Sequence, residues 1–122
     1  VDVHAEATSE KMAIGQYLNG RVSMVVGTHS HIPTADAQIF SKGTAYQTDL
    51  GMCGDYDSVI GMRSDAAIGR FMKRMPSERL SPSDGIGTVC GVFLESDDNT
   101  GHAIRIEPIR IGGRLAQHMP TL

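Results

Sequence analysis

A chain of 122 residues has room for one domain at most. With 40% apolar and 20% charged residues it reads as soluble and globular, and a formal net charge of −3 excludes a nucleic-acid surface built on bulk positive charge, though not a nucleotide substrate. No apolar run approaches membrane-spanning length, and Cys53 and Cys90, far apart and outside any C-x-x-C pair, read as two reduced thiols of a cytoplasmic protein.

The chain opens on Val1-Asp2-Val3-His4, whose alternation predicts a strand with the valines on one face and Asp2 and His4 on the other. A natural terminus rarely cuts a strand, so the expectation is the later part of a longer protein. A helix follows, capped by Thr8 or Ser9, with Glu10 complementing its dipole. Ile14, Tyr17 and Leu18, flanked by Met12, are its predicted buried stripe. Gly15, unfavourable in a helix by about 1 kcal/mol against alanine, predicts close packing or a kink, and Asn19-Gly20 ends the helix. Residues 22–26 form a second, largely apolar strand. Strand, helix, strand is the βαβ pattern, which joins parallel neighbours through a right-handed crossover.

Residues 37–40 and 44–48 then pair as a hairpin around Ser41-Lys42-Gly43. Residues 49–57, rich in glycine and acid, read as a long loop that borders a cleft or makes a contact. Ser64 opens a second helix with Ile68, Phe71, Met72 and Met75 as its stripe, Lys73 and Arg74 at its negative end and Pro76 as its stop. Residues 88–95 and 103–111 are strands joined by a turn at 96–101, with a parity slip at Pro108 that predicts a bulge or an edge strand. Residues 114–122 are expected to be a loose tail or an interface strap.

Chemistry concentrates at Val25-Val26-Gly27-Thr28-His29-Ser30-His31. In extended backbone, positions i and i+2 point to one side, so His29 and His31 present two imidazoles together. His4 ends the first strand and these two follow the second, and in open α/β sheets that edge is where sites are built. Three imidazoles converging on one rim would suit a transition metal, with Asp2 or Glu6 orienting a ring; capping competes for Glu6. Solvated or packed histidines are the alternative. Asp97-Asp98-Asn99 lacks the spacing of a calcium loop and reads as an ordinary turn. Gly51 and Gly54 make no phosphate loop, Ser9 and Ser30 lack the G-x-S-x-G frame of a serine nucleophile, and His102 and His118 have no evident partner.

Residues 1–11 (VDVHAEATSEK), 25–31 (VVGTHSH) and 43–52 (GTAYQTDLGM) closely resemble the YmdB-like family of bacterial metallophosphoesterases, described as 2′,3′-cyclic-nucleotide 2′-phosphodiesterases. The resemblance is strong to about Met75 and weaker through the last hairpin. It implies an α/β architecture: the C-terminal part of a metallophosphoesterase-type β-sandwich flanked by helices, with residues 1–122 a single unit supplying roughly one sheet. It also implies two divalent metal ions (iron, manganese or zinc), with His4 and His29 on one and His31 on the other. No other catalytic residue is expected in this chain. The remaining ligands, an Asp, a Glu and an Asn, and a further catalytic histidine would come from the N-terminal half. By that resemblance the substrate is a cyclic nucleotide or other phosphodiester, and the 122-residue chain alone would hold metal partially and have little or no activity. Apolar surface bared by the missing half would favour homo-oligomers. The alternative is a non-catalytic domain for self-association or partner binding. A metal-dependent amide hydrolase ranks third, because its barrel needs about 250 residues.

Overall fold

The computed structural model describes residues 1–73 and 78–122. Its first sheet has four strands in the order β1-β2-β4-β3: β1 (Asp2–His4), β2 (Met24–Thr28), β3 (Gln38–Ile39) and β4 (Ala45–Gln47). The βαβ reading holds: β1 and β2 are parallel, with His4 opposite Thr28, and α1 (Thr8–Tyr17) lies between them in sequence. β4 joins the other side of β2 in parallel, and β3 returns antiparallel to β4 as the predicted hairpin. β2 starts two residues later than expected and so runs through Thr28, which becomes important at the site.

The core is small. Val25, Phe40 and Tyr46 are its buried centre, with Val3, Leu18 and Val22 packed around them. The Phe40 and Tyr46 rings stack with centroids 4.9 Å apart. Gly15 lets α1 lie directly on this pair, because a Cβ there would sit 2.7 Å from the Tyr46 ring.

The α1 stripe differs from expectation. The buried helix residues are Lys11 and Gly15, one turn apart, whereas Met12 and Ile14 are exposed and Tyr17 is 74% exposed with the Arg21 guanidinium over its ring. The apolar spacing misled because a buried charge occupies the face that a hydrophobic residue normally takes. No Thr8 or Ser9 cap forms either: Ala7 is the N-cap, without a side-chain hydrogen bond. The helix also ends earlier than the expected Asn19-Gly20: it stops at Tyr17 with Leu18 as a right-handed C-cap, and Gly20, at φ 84°, lies in the turn that follows.

α2 (Ser64–Met72) forms where predicted, but its buried residues are Ala66 and Ala67; Ile68, Phe71 and Met72 face outward. Met75, Arg74 and Pro76 lie outside the described residues. Among the described residues no helix is long and apolar enough to cross a membrane.

β5 (Val89–Ser96) and β6 (Ala103–Ile111) form a separate two-stranded antiparallel sheet, so the described residues carry two sheets where roughly one was expected. Its irregularity falls at Glu95/Ser96; Pro108 sits inside the ladder opposite Val92, where an edge position needs no N–H from it. The Asp97 carboxylate accepts N–H groups of Asn99 and Thr100, which makes the connection an ordinary side-chain-closed turn. Ala103 N–H donates to Gly43 C=O at 2.8 Å and ties the hairpin to the first sheet. The tail is not loose: His118 and Arg110 exchange backbone hydrogen bonds of 2.8 and 2.9 Å.

Two hydrogen-bonded acids make the fold sensitive to low pH. Partial burial pushes the Asp36 carboxyl up, but hydrogen bonds from Thr34 and Thr48 together outweigh it and leave its pKa below the ordinary value. Asp49 behaves alike: burial raises it, and the N–H groups of Gly51 and Ser30, with Lys11, pull it below normal. Each group then binds its proton more weakly folded than unfolded. Their stabilisation is complete above the unfolded carboxyl pKa of about 4 and is lost as pH falls through the folded values. Urea midpoints should therefore hold from pH 7 to about 5 and drop steeply below about 4. A flat profile to about pH 2.5 would contradict this account.

Candidate metal centre

His4 ends β1, and His29 follows β2 directly; because the two strands are parallel neighbours, both rings emerge at the same sheet edge. The His4 Nε2 and His29 Nδ1 atoms lie 3.3 Å apart, with the rings edge-to-face. Two nitrogens that share a tetrahedral cation, each bonded at about 2.0–2.1 Å, are separated by roughly 3.3–3.4 Å. The donor pair therefore has the spacing that one metal ion requires. Without a metal the same contact is an N–H···N hydrogen bond.

The other nitrogen of His4 is also committed. Its Nδ1 lies 3.1 Å from Thr28 Oγ1, and that hydroxyl donates to Asp2 Oδ1 at 3.0 Å. Since the hydroxyl proton is directed to the carboxylate, the Thr28 oxygen accepts from His4 Nδ1–H. The proton is thereby held on Nδ1, and the Nε2 lone pair stays free for a cation. The expected carboxylate partner is Asp2, acting through Thr28. That hydroxyl was missed because the second strand was expected to end at Val26, whereas β2 runs through Thr28.

His31 does not join the other two. Its Nδ1 donates to the Ile60 carbonyl oxygen at 2.9 Å, which leaves its own Nε2 as the unprotonated nitrogen. Among the described residues no three His, Cys, Asp or Glu side chains are grouped to hold one metal. The expectation of three imidazoles at one point is thus corrected to a pair, His4 with His29, and a separate His31. The reason lies in the backbone. His29 and His31 are both at positive φ, 129° and 67°, so the extended i, i+2 geometry that would aim them together does not apply. Such conformations in non-glycine residues cost of order 1–3 kcal/mol each and cluster at functional sites.

The 49–57 loop packs behind this turn. Ser30 N–H donates to Asp49 Oδ2 at 2.8 Å, Gly51 N–H to Asp49 Oδ1 at 2.9 Å, and Met52 N–H to the His31 carbonyl at 3.2 Å. Lys11 Nζ meets Asp49 Oδ2 at 3.2 Å, both side chains almost wholly buried. Lys11 and Asp49 escaped sequence reading, although Lys11 stands one turn before Gly15 on a face already expected to pack closely. The Ile60 carbonyl carries no side-chain signal at all. His102 packs its ring against Gly43, and His118 keeps a buried Nε2, both away from the rim.

The fold, a parallel-centred α/β sheet with a late hairpin docked on it, is shared with solved structures, one of them of a phosphatase. A crystal structure of a novel phosphatase from Mycoplasma pneumoniae matches with TM-score 0.83 and 43% identity over 92% of this chain and 40% of that one. A Thermus thermophilus protein described as hypothetical matches with TM-score 0.86 and 42% identity over 93% of this chain and 44% of that one. The chain belongs to the YmdB-like protein family, whose sequence signature covers residues 1–109. It is 50% identical over 111 residues to a Bacillus subtilis (strain 168) relative named 2′,3′-cyclic-nucleotide 2′-phosphodiesterase, covering 91% of this chain and 42% of the relative. The chain thus spans less than half the length of the relatives it matches.

Proposed function

We propose that the chain supplies part of a binuclear metal centre in a phosphodiesterase that opens 2′,3′-cyclic nucleotides at the 2′ side. In this reading His4 and His29 bind one divalent ion and His31 binds the other. The observation that carries it is the 3.3 Å approach of His4 Nε2 to His29 Nδ1, with the second nitrogen of His4 already held by Thr28. When bound, two divalent ions supply Lewis acidity toward the phosphoryl oxygens and make water a stronger nucleophile at neutral pH. The chain's residues do the holding. Asp2 and Thr28 keep a proton on His4 Nδ1, and the Ile60 carbonyl keeps one on His31 Nδ1, so that both Nε2 atoms remain ligands. Iron, manganese and zinc all suit imidazole with oxygen ligands.

Three imidazoles do not complete a bridged pair of ions, and the remaining ligands are assigned to a part of the longer protein outside this chain. The isolated 122 residues should therefore turn over little or no cyclic nucleotide. A second reading, a module for self-association, is favoured by the outward-facing Phe71 and Met72 of α2, 88% and 78% exposed. Metal content separates the two. The full-length protein should purify with stoichiometric metal, and His29→Ala should lose at least half of it and about a thousandfold or more in turnover of 2′,3′-cyclic AMP. A full-length protein with no bound metal and unaltered behaviour in His29→Ala would favour the association module.

A further inference from the structure

We infer that the buried Lys11–Asp49 ion pair is a positioning device for the metal-binding turn: it fixes the backbone between His29 and His31 from behind, and so sets the affinity of the centre. The inference rests on the metal reading for its affinity arm, but its backbone arm stands without metal.

The turn needs an external anchor. His29 and His31, at φ 129° and 67°, flank Ser30, and side chains seldom hold such conformations unaided. The one N–H between them, that of Ser30, donates to Asp49 Oδ2 at 2.8 Å. The same oxygen receives Lys11 Nζ at 3.2 Å, while Oδ1 receives Gly51 N–H at 2.9 Å. Lys11 reaches this point from α1 by laying its stem across Gly27, where a Cβ would sit 2.8 Å from the Lys11 Cδ. The two side chains are 2% and 1% exposed, so neither has water as an alternative partner. A carboxylate placed there accepts two backbone N–H groups and a cation at once; a neutral amide cannot reproduce that set. Asp49 is the first residue of the loop behind the turn, and Lys11 lies on the helix between β1, which ends at His4, and β2, which His29 follows. The pair therefore joins the three segments on which the imidazoles depend. Lys11 and Asp49 touch no ligand atom, and both are positioning residues.

The test uses the full-length protein, the variant Asp49→Asn, and Asp97→Asn as a control for general destabilisation. Asp97 is also a hydrogen-bonded carboxylate, but its partners, Asn99 and Thr100, belong to the turn between β5 and β6. Two quantities are read: exchange of the Ser30 amide in metal-free protein by mass spectrometry, and Co²⁺ affinity from its visible absorption. Asp49→Asn should lose Ser30 protection and bind Co²⁺ at least about tenfold more weakly, as removal of supporting partners does at metal sites. Asp97→Asn, at matched melting temperature, should change neither by more than about twofold. If Asp49→Asn does not fold, Lys11→Met/Asp49→Asn, which leaves no unpaired buried charge, is judged by the same criteria. Retained protection and affinity in the Asp49 variant would overturn the inference, as would equal losses in the control or failure of both Asp49 variants to fold. Absence of Co²⁺ binding by the unaltered protein would refute the metal reading instead, and Ser30 exchange would still decide the positioning role.

Discussion

Gly27→Ala is expected to destabilise the fold by about 3 kcal/mol or more. A Cβ at Gly27 would lie 1.8 Å from the Thr48 carbonyl oxygen and 2.8 Å from Lys11 Cδ. The first obstacle is backbone, and it belongs to the segment that continues β4, the strand paired with β2. Gly27 also accepts the Leu50 N–H at 2.9 Å, so separating the segments breaks a ladder bond as well as the Lys11 contact. Its φ is not in the left-handed region, so close approach alone dictates glycine here. Gly91 in β5 is the internal comparison. A Cβ there meets nothing within 4 Å, and Gly91→Ala should be neutral or stabilising by up to about 1 kcal/mol. Urea unfolding of both variants checks the pair. Equal midpoints for Gly27→Ala and the unaltered chain would show that β2 and the segment after β4 are not as close as described.

Thr28→Val is expected to weaken metal binding by roughly 10- to 100-fold while leaving the fold intact. Valine matches threonine in shape and suits a strand, so β2 and its pairing with β1 should persist. What disappears is the hydroxyl that accepts from His4 Nδ1 at 3.1 Å and donates to Asp2 at 3.0 Å. The proton is then free to move to Nε2, the nitrogen that faces His29, and the ring is free to turn. Co²⁺ titration of the full-length protein reads the affinity, and thermal unfolding reads the fold. Asp2→Asn should give a smaller loss, since the hydroxyl would still accept from the ring. Unchanged affinity in Thr28→Val would remove the relay from the account and leave the imidazole pair without its orienting partner.

Much of the framework was legible because period and punctuation are local. Alternation at Val1 to His4 and the Pro/Gly-bounded late strands led to the right element types, and β6 matched its expected bounds. The βαβ unit placed His4 and His29 at one edge through its parallel strands, without side-chain detail. Both helices were found, yet of the predicted apolar stripe of α1 only Leu18 packs on the core, and the predicted face of α2 points outward. In α1 a buried lysine and a glycine form the packed face, and in α2 two alanines do, with larger residues outside. Hydrophobic spacing assumes that burial follows size and greasiness, and these helices bury small or charged groups for contacts made far away in sequence.

The sequence by itself determined which residue types reach the rim: two histidines after one strand and one at the end of its neighbour, with a glycine where the chain must pass close to another segment. Only the tertiary structure decided how those imidazoles divide. Positive φ at His29 and His31 turns the second ring to the Ile60 carbonyl, and a Lys11–Asp49 pair joining residues 38 positions apart holds the turn between them. Backbone conformation there is fixed by hydrogen bonds from distant segments, and local sequence carries no record of where those bonds come from.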